Sequence, residues 1–265
     1  MLAVISPAKT LDFDTPLATA KFSLPEFTKE SGELVKNLKK IPPSGIAELM
    51  SISDKLAELN HRRFSEWRAD FDNEAARAAI LAFKGDVYLG LDAAAFGERD
   101  FSWMQKHLRI LSGLHGLLRP LDRIRPYRLE MGTRLNTPKG KDLYAFWGDK
   151  ITTALNAALQ EQKSPILVNL ASNEYFKAIH TDKVAGRILD VQFKEWRKGQ
   201  YRIVSFSAKR ARGLMARYMI EKRITTLDAL AKFDLDGYTL NSAMSSDDTW
   251  LFTRETPAQT APARK

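Results

Sequence analysis

The chain contains no cysteine. Disulfides, thiolate zinc sites, cysteine-ligated iron–sulfur clusters and cysteine nucleophiles are therefore excluded, and a reducing compartment fits. Histidine is almost as scarce. His61, His107, His115 and His180 form no HxxxH or HExxH pair, and none lies at ligand spacing with a carboxylate cluster. No metal and no cofactor are expected; His107 and His115, which flank one apolar run, are the pair a fold could bring together. The nucleotide and hydrolase signatures GxGxxG, GK[ST] and GxSxG are also missing. No apolar run reaches the length of a membrane span. The opening MLAVISPAKTLDFD lacks the basic n-region and long apolar core of a secretory signal. A cytoplasmic protein without a membrane partner is the expectation, and a monomer is favoured.

What the chain has is positive charge, and it is concentrated. The 265 residues carry a formal net charge of +9. Residues 119–141 hold seven Arg/Lys against two acids, and residues 201–223 hold seven against one. Those two segments exceed the whole chain's excess, so the remainder is slightly acidic. Such a distribution suggests a basic surface for a polyanion more than a merely soluble protein.

The first basic segment belongs to the most informative stretch, LRILSGLHGLLRPLDRIRPYRLEMG at 108–132. An apolar run is broken by Ser112-Gly113 and again at Gly116, after which Arg119, Arg123, Arg125 and Arg128 arrive within ten positions, punctuated by Pro120 and Pro126. It reads as a buried strand feeding a stiff, arginine-rich loop, at the place where open α/β sheets put their sites. Arginine forks suit phosphate or carboxylate; solvated arginines, with a few bridging carbonyls, are the plainer alternative.

The rest of the chain alternates strand and helix patterns without a dividing linker or internal repeat. Strands are expected at 2–5, 87–89, 165–170, 187–193 and 201–207, with Lys198-Gly199 as a hairpin turn. Helices are expected at 26–40, about 47–67, 73–82 and 102–107. Further helices are expected from Leu143, from Tyr175 and over 208–223. In the last, Ala211, Leu214, Met215, Tyr218 and Met219 form the apolar face. Lys209, Arg210, Arg212 and Arg217 occupy much of the remainder. Lys9 and Asp12 follow the first strand, where a lysine can hold a phosphate or simply pair with the aspartate. The Pro/Gly break IPPSGI at 41–46, between two helices, outlines a helix-hairpin-helix element with one glycine where two are usual, and a structural turn fits the pattern equally. The aromatic cluster Tyr144, Phe146, Trp147 reads first as core. The class is α/β, with α+β possible. One compact domain over 1–254 and a disordered Ala/Pro/Thr-rich tail at 255–265 are expected.

Seven blocks resemble the YaaA family of bacterial proteins linked to peroxide stress. They are SPAKTLDF (6–13), MSISDKLAELN (50–60), AFKGDVYLGL (82–91), LSGLHGLLRPLDRIRPYRLEMG (111–132), KDLYAFWGDKI (141–151), VNLASNEYFK (168–177) and SFSAKRARGLMARYMI (205–220). The resemblance implies a single domain of unusual topology with a helix-hairpin-helix element and a basic cleft. It also implies binding to duplex or branched DNA, and protection of DNA with limitation of free iron under hydrogen peroxide. Lys55 enters the cleft set through it.

Two functions compete. In the first, a DNA-binding protein without encoded chemistry makes phosphate contacts through Lys9, Lys55, Arg119, Arg123, Arg125, Arg128, Lys209, Arg210, Arg212 and Arg217. Binding would be largely sequence-neutral, since no helix carries a base-reading set. In the second, an enzyme acts on a nucleobase, nucleotide or damaged nucleic acid, with Lys9, Asp12, Tyr127 and Glu130 as its polar set beside Arg119 and Arg128. A binding protein is favoured. Convergence of these six in a closed pocket would favour the enzyme.

Overall fold

The computed structural model describes residues 1–71 and 75–255. The tail expected from 255 lies outside them, except that Glu255 ends the last strand. The described residues build a mixed α/β domain with 11 α-helices around one eight-stranded sheet. Five strands run parallel in the order Thr249–Glu255, Arg187–Arg197, Ile166–Leu170, Leu2–Ile5 and Leu108–Ser112. Thr239–Leu240 and Gly116–Leu118 close the two edges antiparallel, and Gln200–Arg202 folds back on Arg187–Arg197.

The strands form where the sequence buries both faces. LAVI and LRILS are buried at every residue, which is the composition of a parallel sheet covered on both sides. Arg187–Arg197 instead alternates, sending Leu189, Val191, Phe193 and Glu195 inward. Its end is the hairpin expected from the sequence: Lys198 and Gly199 both adopt positive φ, the requirement of a tight two-residue turn.

Leu2–Ile5 lies in the middle of the sheet. The chain leaves it to build Leu108–Ser112 on one side, and later returns to build Ile166–Leu170 on the other. Connections diverging from neighbouring strands open a crevice at their carboxyl ends, the position where open α/β sheets take ligands.

Several expected elements differ. Val87-Tyr88-Leu89 is not a strand but the middle of the helix Asp86–Leu91. Packing overrides its β-forming residues. Gly90 and Gly213 bring this helix against the 17-residue helix Ser205–Glu221, so closely that a Cβ at Gly213 would overlap the Val87 carbonyl. That long helix begins at Ser205, which shortens the strand expected at 201–207 to Gln200–Arg202. In place of one helix over 47–67 there are two, Pro43–Met50 and Asp54–Glu66, separated where Ser51 turns left-handed at φ 50°. Pro43 supplies a first-turn position that needs no N–H donor, so IPPSGI starts a helix rather than merely breaking one. Of the helix expected at 73–82, residues 73 and 74 lie outside the described residues, and from 75 on only Ala79–Ala82 is helical, after a short strand Arg77–Ala78 that pairs with Arg123–Ile124. Gly148, at φ 48°, divides the helix expected from Leu143 into Leu143–Trp147 and Lys150–Gln160. Phe146 and Trp147 are core, as expected.

A candidate anion-binding crevice at the carboxyl edge of the sheet

The turns after Leu2–Ile5 and Ile166–Leu170 meet across the crevice. The Ser172 backbone N–H donates to Ser6 Oγ at 2.8 Å, and the Tyr88 hydroxyl donates to the Ser6 carbonyl at 3.1 Å. These bonds fix the floor of a cavity of about 480 Å3. Lys9, Lys84, Lys209 and Arg212 bring positive charge to its walls, and Asp86, Glu130 and Glu174 bring negative charge. A second cavity of about 420 Å3, reaching Asp190, Gln192 and Ile203, shares Ser172, Glu174 and Arg212 with the first. Arg212 thus stands at the junction of a two-lobed crevice.

The electrostatics are uneven. Glu130 accepts from both Lys9 (2.6 Å) and Arg128 (3.1 Å), so it compensates two cations at one end. Glu174 accepts from the Gly132 backbone N–H at 3.0 Å, tying the arginine-rich loop to the Asn173–Phe176 helix. Arg212 has no such answer. Burial lowers its pKa from the usual arginine value, and Asp190 offsets only part of this. Asp190 itself is occupied by the side-chain amides of Asn169 and Gln192, each at 2.8 Å. The Arg212 Nε is buried without a hydrogen-bond partner. A guanidinium in this state is costly unless an anion completes it. Lys209, one turn earlier, points its charge to the same cavity.

The six residues of the enzyme reading do not all converge. Lys9, Arg128 and Glu130 meet at the crevice. Asp12 instead caps its own turn: the Thr15 backbone N–H and hydroxyl hold its carboxyl far below the ordinary range, with Asp14 and Lys84 adding to them. The Lys9–Asp12 ion pair is therefore not made. Tyr127 is buried and bonds Ser112 Oγ at 2.7 Å; burial raises its pKa well above that of a free phenol. Arg119 lies at the opposite edge of the sheet. It follows Gly116–Leu118, whose last residue pairs with Ile110, and it chelates Asp122 beside Arg109. The loop 119–130 thus travels from the amino edge back to the carboxyl edge.

Its other arginines are engaged on the way. Arg123 donates to the Phe71 carbonyl and stacks 3.8 Å from the Phe22 ring centroid. Arg125 donates to the Asp70 carbonyl at 2.8 Å. On the long helix, Arg217 pairs with Asp92 and Glu221, whereas Lys209 and Arg210 are exposed and form no ion pair among the described residues. Lys55 is exposed on the Asp54–Glu66 helix and does not line the crevice.

His107 and His115 stay apart, at the two ends of Leu108–Ser112. His107 donates its Nδ1–H to the Met1 carbonyl and stacks on Trp103, while His115 is wholly buried beside Ser31, Phe71 and Tyr127. Among the described residues, no group of three or more His, Asp or Glu side chains is placed to hold a metal ion, and no helix is long and apolar enough to cross a membrane. Sequence reasoning missed Ser6, Lys84 and Glu174 as site residues. Lys84 and Glu174 sat in quoted blocks, FKGD and SNE, next to strand ends, which was the available signal.

Fold and crevice together define an α/β protein whose mixed sheet carries, at its carboxyl edge, a polar crevice lined by four cations and three carboxylates. The family model described as "Peroxide stress protein YaaA" matches residues 1–244, and the chain belongs to that family.

Proposed function

We propose that this protein binds duplex or branched DNA, largely without sequence specificity, as its part in the response to peroxide. The observation that carries the reading is Arg212, a half-buried guanidinium that forms no ion pair among the described residues, preceded on its helix by Lys209 and Arg210, which form none there either. Phosphate is the anion that fits a planar guanidinium with a lysine and a second arginine on the same helix. Contacts of this kind position a duplex without reading its bases. The first contacts are assigned to Lys209, Arg210, Arg212, Lys9 and Lys84. Arg119, Arg123, Arg125, Arg128 and Arg217 serve chiefly to hold the surface together, and Lys55 extends the basic face along the helical hairpin. Bound protein displaces condensed cations from the backbone. Iron held there as a counterion would be displaced with them, which limits iron-dependent damage where peroxide would cause it.

The test is a titration of fluorescent duplex DNA across a salt series. The triple variant Lys209→Ala/Arg210→Ala/Arg212→Ala is expected to flatten the slope of log K on log salt by about 2.7, at ~0.9 per phosphate contact. Arg217→Ala, already paired internally, should change it by less than about one contact. An unchanged slope in the triple variant would sink the reading. A second reading, in which the crevice holds a nucleotide or nucleobase for chemistry, is favoured by the three carboxylates Asp86, Glu130 and Glu174 on its walls.

A further inference from the structure

The entry to the long helix carries a feature that phosphate binding does not explain. Ile203 and Phe206 are the two most exposed large apolar side chains among the described residues, at 61% and 59%. Phe206 occupies the second position of Ser205–Glu221, and Lys209 and Arg210 follow at i+3 and i+4, on the same exposed face. Arg202, also exposed, adjoins Ile203. No acidic residue occurs from Trp196 to Ile220. None of Arg202, Lys209 and Arg210 forms an ion pair among the described residues, and Ile203 also lines the second lobe of the crevice. An exposed ring ringed by uncompensated cations is thus continuous with the anion site.

We propose that Phe206, backed by Ile203, is a stacking element that engages an unpaired base of the nucleic acid whose phosphates lie on Arg202, Lys209 and Arg210. This rests on the DNA-binding reading and narrows it. The preferred partner is DNA that exposes base faces, at a junction, a bubble or a single-stranded end. The chemistry is that of single-strand binders, in which cations follow the backbone while aromatic faces accept bases of any identity. In a bent or branched duplex the same side chain would fill the gap left by an unstacked step. A second copy of the chain fits the patch poorly, because a two-fold contact would set like charges against one another. A lipid surface fits it poorly as well. The long helix buries its apolar face inside the protein, so only two apolar side chains remain where a membrane-surface helix presents a whole face.

The experiment compares wild type, Phe206→Ala and Phe206→Trp on a three-way junction, a single strand and a blunt duplex of matched length. The first two carry 2-aminopurine at unpaired positions. Circular dichroism melts confirm that both variants fold. Phe206→Ala is expected to weaken binding to junction and single strand roughly tenfold or more, and to remove the change in 2-aminopurine emission. Phe206→Trp should retain both, and duplex binding should change by less than about twofold. Equal loss on all three DNAs, or no loss on the junction, overturns the stacking role while leaving DNA binding in place. Preferential binding to vesicles containing phosphatidylglycerol, or loss of a dimer in Phe206→Ala by light scattering, overturns it in favour of a lipid or self-contact. Failure of wild type to bind any DNA would remove the underlying reading as well.

Discussion

Replacing Glu130 with glutamine should make the protein bind DNA more tightly. Glu130 is the carboxylate that answers Lys9 at 2.6 Å and Arg128 at 3.1 Å, and all three border the crevice or abut it. Glutamine keeps an oxygen to accept from Arg128 but removes the negative charge. For a phosphate roughly 7 Å from the lost charge, at an effective dielectric constant of about 40, Coulomb's law gives about 1 kcal/mol, or ~fivefold in affinity. Two cations are freed, so the salt slope should steepen by as much as about 1.8. The fold should tolerate the change: Lys9 is largely exposed, and an exposed pair is worth at most about 1 kcal/mol. The assay is fluorescence anisotropy on duplex DNA from low to moderate salt, beside a thermal melt. Unchanged affinity would place the crevice off the DNA path. Weaker binding in a protein that still melts normally would mean that Glu130 itself touches the ligand, and the nucleotide-chemistry reading would take over.

Other outcomes follow from the interior. Gly213→Ala should destabilise the protein by roughly 2–4 kcal/mol or prevent folding, because the added Cβ overlaps the Val87 carbonyl; a melt no lower than wild type would refute the close helix contact. His115 is held by burial at a pKa of about 3, below the usual histidine value. The unfolded chain therefore binds a proton that the folded one refuses between pH 6.5 and about 3, and stability should fall as pH falls through that window, by up to ~1.4 kcal/mol per pH unit from this group. His115→Gln should flatten the dependence of melting temperature on pH between 6.5 and 4.5; an unaltered dependence would show that another group titrates there.

The sequence made the core of the sheet legible, because buried parallel strands read as largely apolar runs: LAVI is wholly apolar, and LRILS and ILVNL stay readable despite Arg109, Ser112 and Asn169. It was less informative where side chains answer to packing rather than propensity. Val87-Tyr88-Leu89 has strand-forming residues, yet the Gly90–Gly213 contact holds it helical. The short edge pair Thr239–Leu240 and the final strand Thr249–Glu255 were not foreseen, since the former has two residues and the latter mixes polar with apolar. For the candidate site, clustered basic charge pointed to the helix Ser205–Glu221, two of whose cations line the crevice. It could not say which cations were already satisfied. Arg119 and Arg128 look alike in the chain, nine positions apart, but the intervening backbone crosses the sheet and delivers them to opposite edges. Whether an arginine is available depends on acids that can be distant in sequence, as Asp92 is from Arg217, and Arg212 stands out only once Asp190 is seen to be engaged elsewhere.

That crossing segment has a mechanical consequence. From the bonds of Asp122 to Ser23 and of Arg119 to the Leu24 carbonyl at one end, through the Arg125 contact to Asp70, to the Glu174–Gly132 bond at the other, residues 119–132 form a strap anchored at both ends and in the middle. A strap pinned in this way cannot peel from one edge without loading the other. Its amides should therefore exchange with solvent together, as one cooperative unit with the strands it spans, and the crevice wall it supplies should keep its shape until that whole unit opens.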